Sequence, residues 1–157
     1  MKLAILGAGA FGAALAAALG REGHVMLWGR GQVGRQIRRL PALELPETVS
    51  VTADIADTDG AELLLLALPM QGLGRFVAEH RNRLEARALV ACCKGVDLAT
   101  GLGPVEILEA LQGPAPAVLT GPSFAADIAI GLPTALTLAC RDDSLGAKLQ
   151  ARLSTPV

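Results

Sequence analysis

What is scarce in this chain removes several classes of function. It carries only three cysteines, Cys92, Cys93 and Cys140. The number is odd and two are adjacent, so neither a disulfide framework nor a zinc-ligand spacing is present. They read as small buried apolar residues of a reducing compartment. The two histidines, His24 and His80, are too isolated in sequence for a metal site or a catalytic triad. His24 is expected to open a strand and His80 to end a helix, and no metal site is expected. Net charge is −1, which gives no electrostatic footprint for nucleic acid or an anionic membrane surface. Apolar runs such as Leu63 to Leu68 fall far short of the ~20 residues that span a bilayer. Lys2 precedes an apolar run that ends in glycines rather than in a cleavage site, so no secretory signal is read there. Internal repeats and low-complexity linkers are likewise missing.

What is present is aliphatic. The chain has 157 residues, 52% of them hydrophobic, and a mean hydropathy of +0.45. That length suits a single domain with a real core. Ala, Leu, Val and Gly supply much of the apolar content, as a buried parallel sheet covered by helices requires. Strand-like and helix-like patterns alternate along the chain. Strands are expected at 2–6, 24–28, 49–51, 62–68, 88–92, 117–119 and 134–139. Helices are expected at 10–19, 70–80, 105–111, 124–130 and from 142–144 through 153. The basic segment from Arg30 to Arg39 is at best a short helix, and 53–58 a turn or short helix. Ser123 is placed to cap the helix that follows it. The order βαβαβ, followed by further βα units, predicts an α/β fold: a Rossmann-type, doubly wound, mostly parallel sheet with helices on both faces.

The most informative stretch is the first. Gly7, Gly9 and Gly12 lie between the strand Lys2-Leu3-Ala4-Ile5-Leu6 and an Ala-rich helix. Glycines at this spacing allow a tight turn, close approach of a pyrophosphate to the backbone, and close packing of helix on strand. The pyrophosphate then meets unpaired N–H groups and the positive end of the helix dipole. Residues 1–157 therefore read as a dinucleotide-binding domain. At the end of the second strand, Trp28-Gly29-Arg30, no acidic residue is present to hold the ribose hydroxyls of NAD. Arg30 is there instead, and a guanidinium pairs with a 2′-phosphate and stacks on adenine. The cofactor is thus NADP or NAD, with NADP preferred. Arg35, Arg38 and Arg39 are expected to form a solvated helix face.

Ligands of this fold lie beyond the carboxyl ends of the strands. Leu66-Ala67-Leu68-Pro69, Cys92-Cys93-Lys94-Gly95 and Thr120-Gly121-Pro122-Ser123-Phe124-Ala125 fall there. A lysine at position 94 could bind an anion or polarise a carbonyl during hydride addition; placement alone equally allows an exposed loop lysine. Met70 and Gln71 read as local structure at a helix start.

Taken in order, Gly7-Ala8-Gly9-Ala10-Phe11-Gly12, Leu27-Trp28-Gly29-Arg30, Leu66-Ala67-Leu68-Pro69, Cys93-Lys94-Gly95-Val96-Asp97 and Gly121-Pro122-Ser123-Phe124-Ala125 carry a resemblance. Leu45-Pro46-Glu47-Thr48-Val49 and Gly131-Leu132-Pro133-Thr134 fit it too. The chain resembles the NAD(P)-dependent sn-glycerol-3-phosphate dehydrogenases of the bacterial biosynthetic type, over their N-terminal domain. The resemblance implies reversible hydride transfer between NAD(P)H and dihydroxyacetone phosphate or glycerol 3-phosphate, in the cytoplasm, for glycerophospholipid synthesis. It implies that Ala10, Phe11, Arg30 and Ala125 line the cofactor. Lys94 would touch cofactor and substrate as the catalytic residue of this domain, and Gly121 and Ser123 would face the substrate. The family's proton-transferring lysine and its phosphate grip lie in a helical C-terminal substrate domain, which is expected to be absent from this chain. Thr155-Pro156 looks like an entry into further structure. A homo-oligomer is a possible assembly. Position 10 is Ala where the family often has Ser, Asp127 stands where Glu is usual, and the segment from Gly31 to Pro46 looks shorter than the family's. Two other readings stay open. One is a related two-domain reductase of the ketopantoate or 3-hydroxyacid type, against which Gly121-Pro122-Ser123-Phe124 argues. The other is a nucleotide-binding module without catalysis.

Overall fold

The computed structural model describes residues 1–31, 34–37, 40, 41 and 43–156. Arg38 and Arg39, expected on a solvated helix face, lie outside the described residues. Seven strands form one sheet in the order β3-β2-β1-β4-β5-β6-β7. They are β1 (Leu3–Leu6), β2 (Val25–Trp28), β3 (Val49–Thr52), β4 (Leu63–Leu66), β5 (Ala88–Ala91), β6 (Ala117–Thr120) and β7 (Thr137–Cys140). The first six run parallel, and β7 pairs antiparallel with β6. The strand order reverses between β1 and β4, where Leu3 of the first strand faces Val25 on one side and Leu63 on the other. The crevice at such a reversal is where this architecture holds its ligands.

Side chains alternate across a strand, and that alternation divides the core. Leu3, Ile5, Leu63 and Leu65 face one layer, with Leu15 and Leu19 of α1 (Ala10–Gly20). Ala4, Leu6, Leu64 and Leu66 face the other, with Leu73, Phe76 and Val77 of α2 (Met70–Leu84). Because both faces are covered, β1, β4 and β5 are buried at every position. This is why they read as continuous apolar runs rather than alternating ones. Burial continues along α1, from Gly12 to Gly20. Its alanines let it lie close between the sheet and α4 (Ala125–Ala129), which packs on it. The remaining helices are α3 (Pro104–Leu108) and α5 (Asp143–Leu153). Among the described residues, no helix is long and apolar enough to cross a membrane.

Several local expectations change. No helix occupies residues 34–37; Gln36 instead pairs with Glu44 in an isolated antiparallel bridge. Arg35 is exposed, as expected, but it lies on no helix. Its guanidinium donates to the carbonyls of Val49 at 3.1 Å, Leu45 at 2.5 Å and Pro46 at 2.8 Å. A planar fork with five donors satisfies several carbonyls at once, which fastens the loop that enters β3. His80 ends the first of two helical segments that meet at a kink in α2. Its backbone leaves helical geometry at φ −119°, and a second, short segment runs on to Leu84. The imidazole packs 4.5 Å from the Phe76 ring, which in turn lies 5.5 Å from Trp28. Residues 55–58 form a 3₁₀ turn capped by Asp54. Ser123 is not the cap of α4: Phe124 holds that position, and no side chain caps the helix.

Candidate functional site

A cleft of about 840 Å³ opens at the carboxyl ends of β1, β2, β4 and β5, within the ~300–1,000 Å³ typical of ligand pockets. Its floor is the turn from Gly7 to Phe11. Trp28, Gly29 and Arg30 stand on one side, and Lys94, Ser123, Phe124 and Ala125 on the other.

The three glycines of the turn do different work. At Gly7, φ is +123° and a Cβ would lie 2.3 Å from the Ala67 carbonyl oxygen. At Gly12 a Cβ would lie 2.0 Å from the Gly7 carbonyl oxygen. Both are required by the protein's own packing, Gly7 by the chain leaving β4 and Gly12 by α1 resting directly on the turn. Gly9 has φ −75° and nothing within 4 Å of its Cβ position. Neither backbone geometry nor crowding demands a glycine there. Gly9 borders the cleft, so a side chain at that position would fill ligand space. Gly9 is also the N-cap of α1, and no side chain caps this terminus. The first N–H groups of a helix have no partner within it. An anion set against Gly9 would receive them together with the dipole's positive end. The cradle fits a pyrophosphate.

Arg30 is exposed at the cleft, one residue past Gly29, whose N–H donates to Thr52 and extends the β2–β3 ladder. Trp28 is 5% exposed; its indole Nε1 donates to the Ala53 carbonyl at 3.1 Å, and Phe76 backs its ring. Across the cleft, Lys94 follows the buried Cys93. Its Nζ donates to the Gly121 carbonyl at 3.3 Å and lies 5.8 Å from the centre of the Phe11 ring, within reach of a cation–π contact. The ammonium carries three donors, and one of them is taken by Gly121. Ser123 Oγ is buried and has no hydrogen-bond partner among the described residues. A hydroxyl withdrawn from water without a partner costs about 1–3 kcal/mol, and a ligand in the cleft would satisfy it.

The structure thus brings Gly7, Gly9, Ala10, Phe11, Arg30, Lys94, Ser123 and Ala125 onto one cleft. Two of the expected site residues sit differently. Gly12 lies beneath the turn, and Gly121 holds Lys94 through its carbonyl, with its Cα against Ala135 and Leu136. Sequence reasoning gave no ligand role to Trp28, Met70, Gln36 and Ile37, which also border the cleft; Trp28 had the signal of a strand end, while Gln36 and Ile37, in the segment between β2 and β3, had none. Cys92 and Cys93 border it too, but neither is a nucleophile. Burial pushes the Cys92 thiol up to about 12 and raises that of Cys93 as well, so both stay protonated. Among the described residues no group of His, Cys, Asp and Glu could hold a metal ion.

Known proteins are similar to this chain in sequence and in fold. The family described as "NAD-dependent glycerol-3-phosphate dehydrogenase N-terminus" matches residues 2–146. A glycerol-3-phosphate dehydrogenase [NAD(P)+] of Cereibacter sphaeroides is 58% identical over 154 residues, 98% of this chain and 48% of that protein. A protein of the same name from Paracoccus denitrificans is 54% identical over 160 residues, 99% of this chain and 50% of its own length. Among solved structures, glycerol-3-phosphate dehydrogenase from Coxiella burnetii superposes with a TM-score of 0.88 at 30% identity, over 98% of this chain and 50% of that one. The chain spans about half the length of the relatives it matches.

Proposed function

The chain belongs to the NAD-dependent glycerol-3-phosphate dehydrogenases, as their N-terminal part, and on that premise we propose that it binds NADP(H), or less tightly NAD(H), in the cleft above Gly9. The observation that carries the reading is the uncrowded glycine at an uncapped helix N-terminus, at the reversal of the strand order. The first turn of α1 would hold the pyrophosphate, Trp28 and Arg30 the adenosine end with the guanidinium toward a 2′-phosphate, and Phe11, Lys94 and Ala125 the nicotinamide end. When bound, the dinucleotide supplies or accepts the hydride.

This chain's residues do the rest of the work on their side of the reaction. Lys94, held by Gly121 and Phe11, presents a fixed positive charge to the oxygen of dihydroxyacetone phosphate or glycerol 3-phosphate, and Ser123 donates to the same substrate. A preorganised donor of this kind stabilises the charge that develops as the carbonyl is reduced. Proton transfer and the grip on the substrate phosphate belong to a helical substrate domain outside residues 1–157. The full reaction feeds glycerophospholipid synthesis in the cytoplasm.

Calorimetry on the wild type and on Arg30→Ala tests the cofactor reading. NADPH should weaken about tenfold or more, the worth of a charge-assisted hydrogen bond, while NADH changes little. Equal losses for the two cofactors would refute the role of Arg30. Residues 1–157 mixed with NADPH and dihydroxyacetone phosphate should show no turnover. A rate in the ordinary range of ~1–10³ per second would place the whole catalytic apparatus within this chain.

A further inference from the structure

Gln71 is the second residue of α2, two residues beyond Leu68-Pro69 at the cleft wall. Its side chain does not point along its own helix. The carboxamide Nε2 donates to the Val96 carbonyl at 2.9 Å, and Oε1 accepts from the Leu98 N–H at 3.0 Å. One side chain thus serves an acceptor and a donor two residues apart, as a neighbouring strand would. The segment it holds begins directly after Lys94.

That segment has little else to fix it. Val96 is 50% exposed and Leu98 is 83% exposed, so burial does not anchor it. Among the described residues its other bonds are internal: Asp97 N–H donates to Leu102, Gly101 N–H to Asp97, Leu102 N–H to the Thr100 hydroxyl, and the Asp97 carboxylate accepts from the Thr100 amide and hydroxyl. These close the loop on itself without tying it to the body. Between the loop and Lys94 lies Gly95 with φ +86°, a joint with no side chain to stiffen it. Lys94 is therefore held by β5 on one side and by Gln71 on the other. An exposed helix position has no packing need for glutamine, and glutamate, methionine or lysine would serve α2 as well.

We propose that Gln71 is a positioning residue for the reaction: it clamps the loop at Val96 and Leu98 and so keeps the Lys94 ammonium between Phe11 and Gly121, aimed at the nicotinamide end of the cleft. The inference rests on the reading of Lys94 given above. Gln71 touches neither cofactor nor substrate and acts only through the loop. Without the clamp, Lys94 spends part of its time elsewhere, and the apparent affinity falls by the lost fraction.

A double-mutant cycle tests this. Gln71→Met keeps the length of the side chain and removes both hydrogen bonds; Lys94→Ala removes the group being positioned. Calorimetry is run with NADPH and with 2′-phospho-ADP-ribose, which lacks the nicotinamide. Gln71→Met should melt with the wild type and weaken NADPH about fivefold, the worth of one ordinary hydrogen bond. It should leave 2′-phospho-ADP-ribose unchanged, and in the Lys94→Ala background it should cost nothing further. Equal weakening of both ligands would mark Gln71 as general scaffolding and overturn the proposal. So would undiminished NADPH affinity, or losses that add in the double variant. If Lys94→Ala alone binds NADPH like the wild type, the reading of Lys94 fails, and this inference fails with it.

Discussion

Gly9 and Gly12 belong to one motif, yet the structure separates what each is for. Valine at position 9 meets nothing within 4 Å of its Cβ, and the backbone at φ −75° and ψ −179° is extended, open to any residue. The cost to folding is confined to the helix cap. Exchanging an N-cap glycine for an apolar residue loses about 1 kcal/mol, and reduced freedom of the unfolded chain returns about 0.4–1 kcal/mol. Gly9→Val should therefore melt within a few degrees of the wild type. Its isopropyl group would stand where the pyrophosphate meets the helix N-terminus. Losing two charge-assisted hydrogen bonds, at about 1.5–3 kcal/mol each, weakens binding by at least two orders of magnitude.

Alanine at position 12 should do the reverse. Its Cβ would lie 2.0 Å from the Gly7 carbonyl oxygen and 3.0 Å from Ala67 Cβ. The oxygen belongs to the backbone and cannot swing away, so α1 must lift off the turn. Overpacking of this kind costs about 1–3 kcal/mol or more, and for a chain of this size each kcal/mol lowers the melting temperature by about 2–4 °C. Gly12→Ala should thus melt several degrees lower while still binding the cofactor where it remains folded. Circular dichroism gives the melting temperatures. Energy transfer from Trp28, the chain's one tryptophan and part of the cleft wall, to bound NADPH gives the affinities. If Gly9→Val binds NADPH unchanged, or if it is destabilised as much as Gly12→Ala, this division of labour is wrong.

Arg35→Lys keeps the charge but replaces a fork on three carbonyls with a single point. It should lose about 1–2 kcal/mol in urea unfolding, and full retention of stability would refute the clamp. Ser123→Ala removes a buried hydroxyl that has no partner among the described residues, so the ligand-free protein should gain about 1 kcal/mol; a loss of stability would mean that the hydroxyl is already satisfied. A hydrogen bond from Arg83, reinforced by Arg87, holds the Asp59 carboxyl below its ordinary range. The native state thus favours the ionised form, and its contribution is present above about pH 4 and lost as the pH falls through the lowered native value. Melting temperatures followed below about pH 4 should fall less steeply for Asp59→Asn than for the wild type; parallel curves would refute the coupling.

The parts of this molecule that were legible in its sequence are those settled within a few residues. β1, β4 and β5 could be read because a strand buried on both faces has no polar position, and each ends in glycine, proline or the Cys-Lys-Gly step. The turn at Gly7 could be read because a positive φ and a helix seated on a carbonyl both demand glycine, and Gly9 is the same residue type for a different reason. What escaped was decided by partners far along the chain. Arg35 is exposed, but its bonds to the loop could not be read because its three acceptors lie 10 to 14 residues away. Ser123 has the chemistry of a cap, but α4 begins one residue too late to use it, and that displacement leaves its hydroxyl buried. Gln71 stood at a helix start, where glutamine is ordinary. Only its bonds to residues 25 and 27 positions further on distinguish it from any exposed residue of α2. The division follows from what specifies each feature. The motifs that hold a cofactor's backbone are local, so sequence spacing carries them. The contacts that aim a side chain such as Lys94 form only once the sheet has brought β4 and β5 side by side, and no spacing in the chain encodes them.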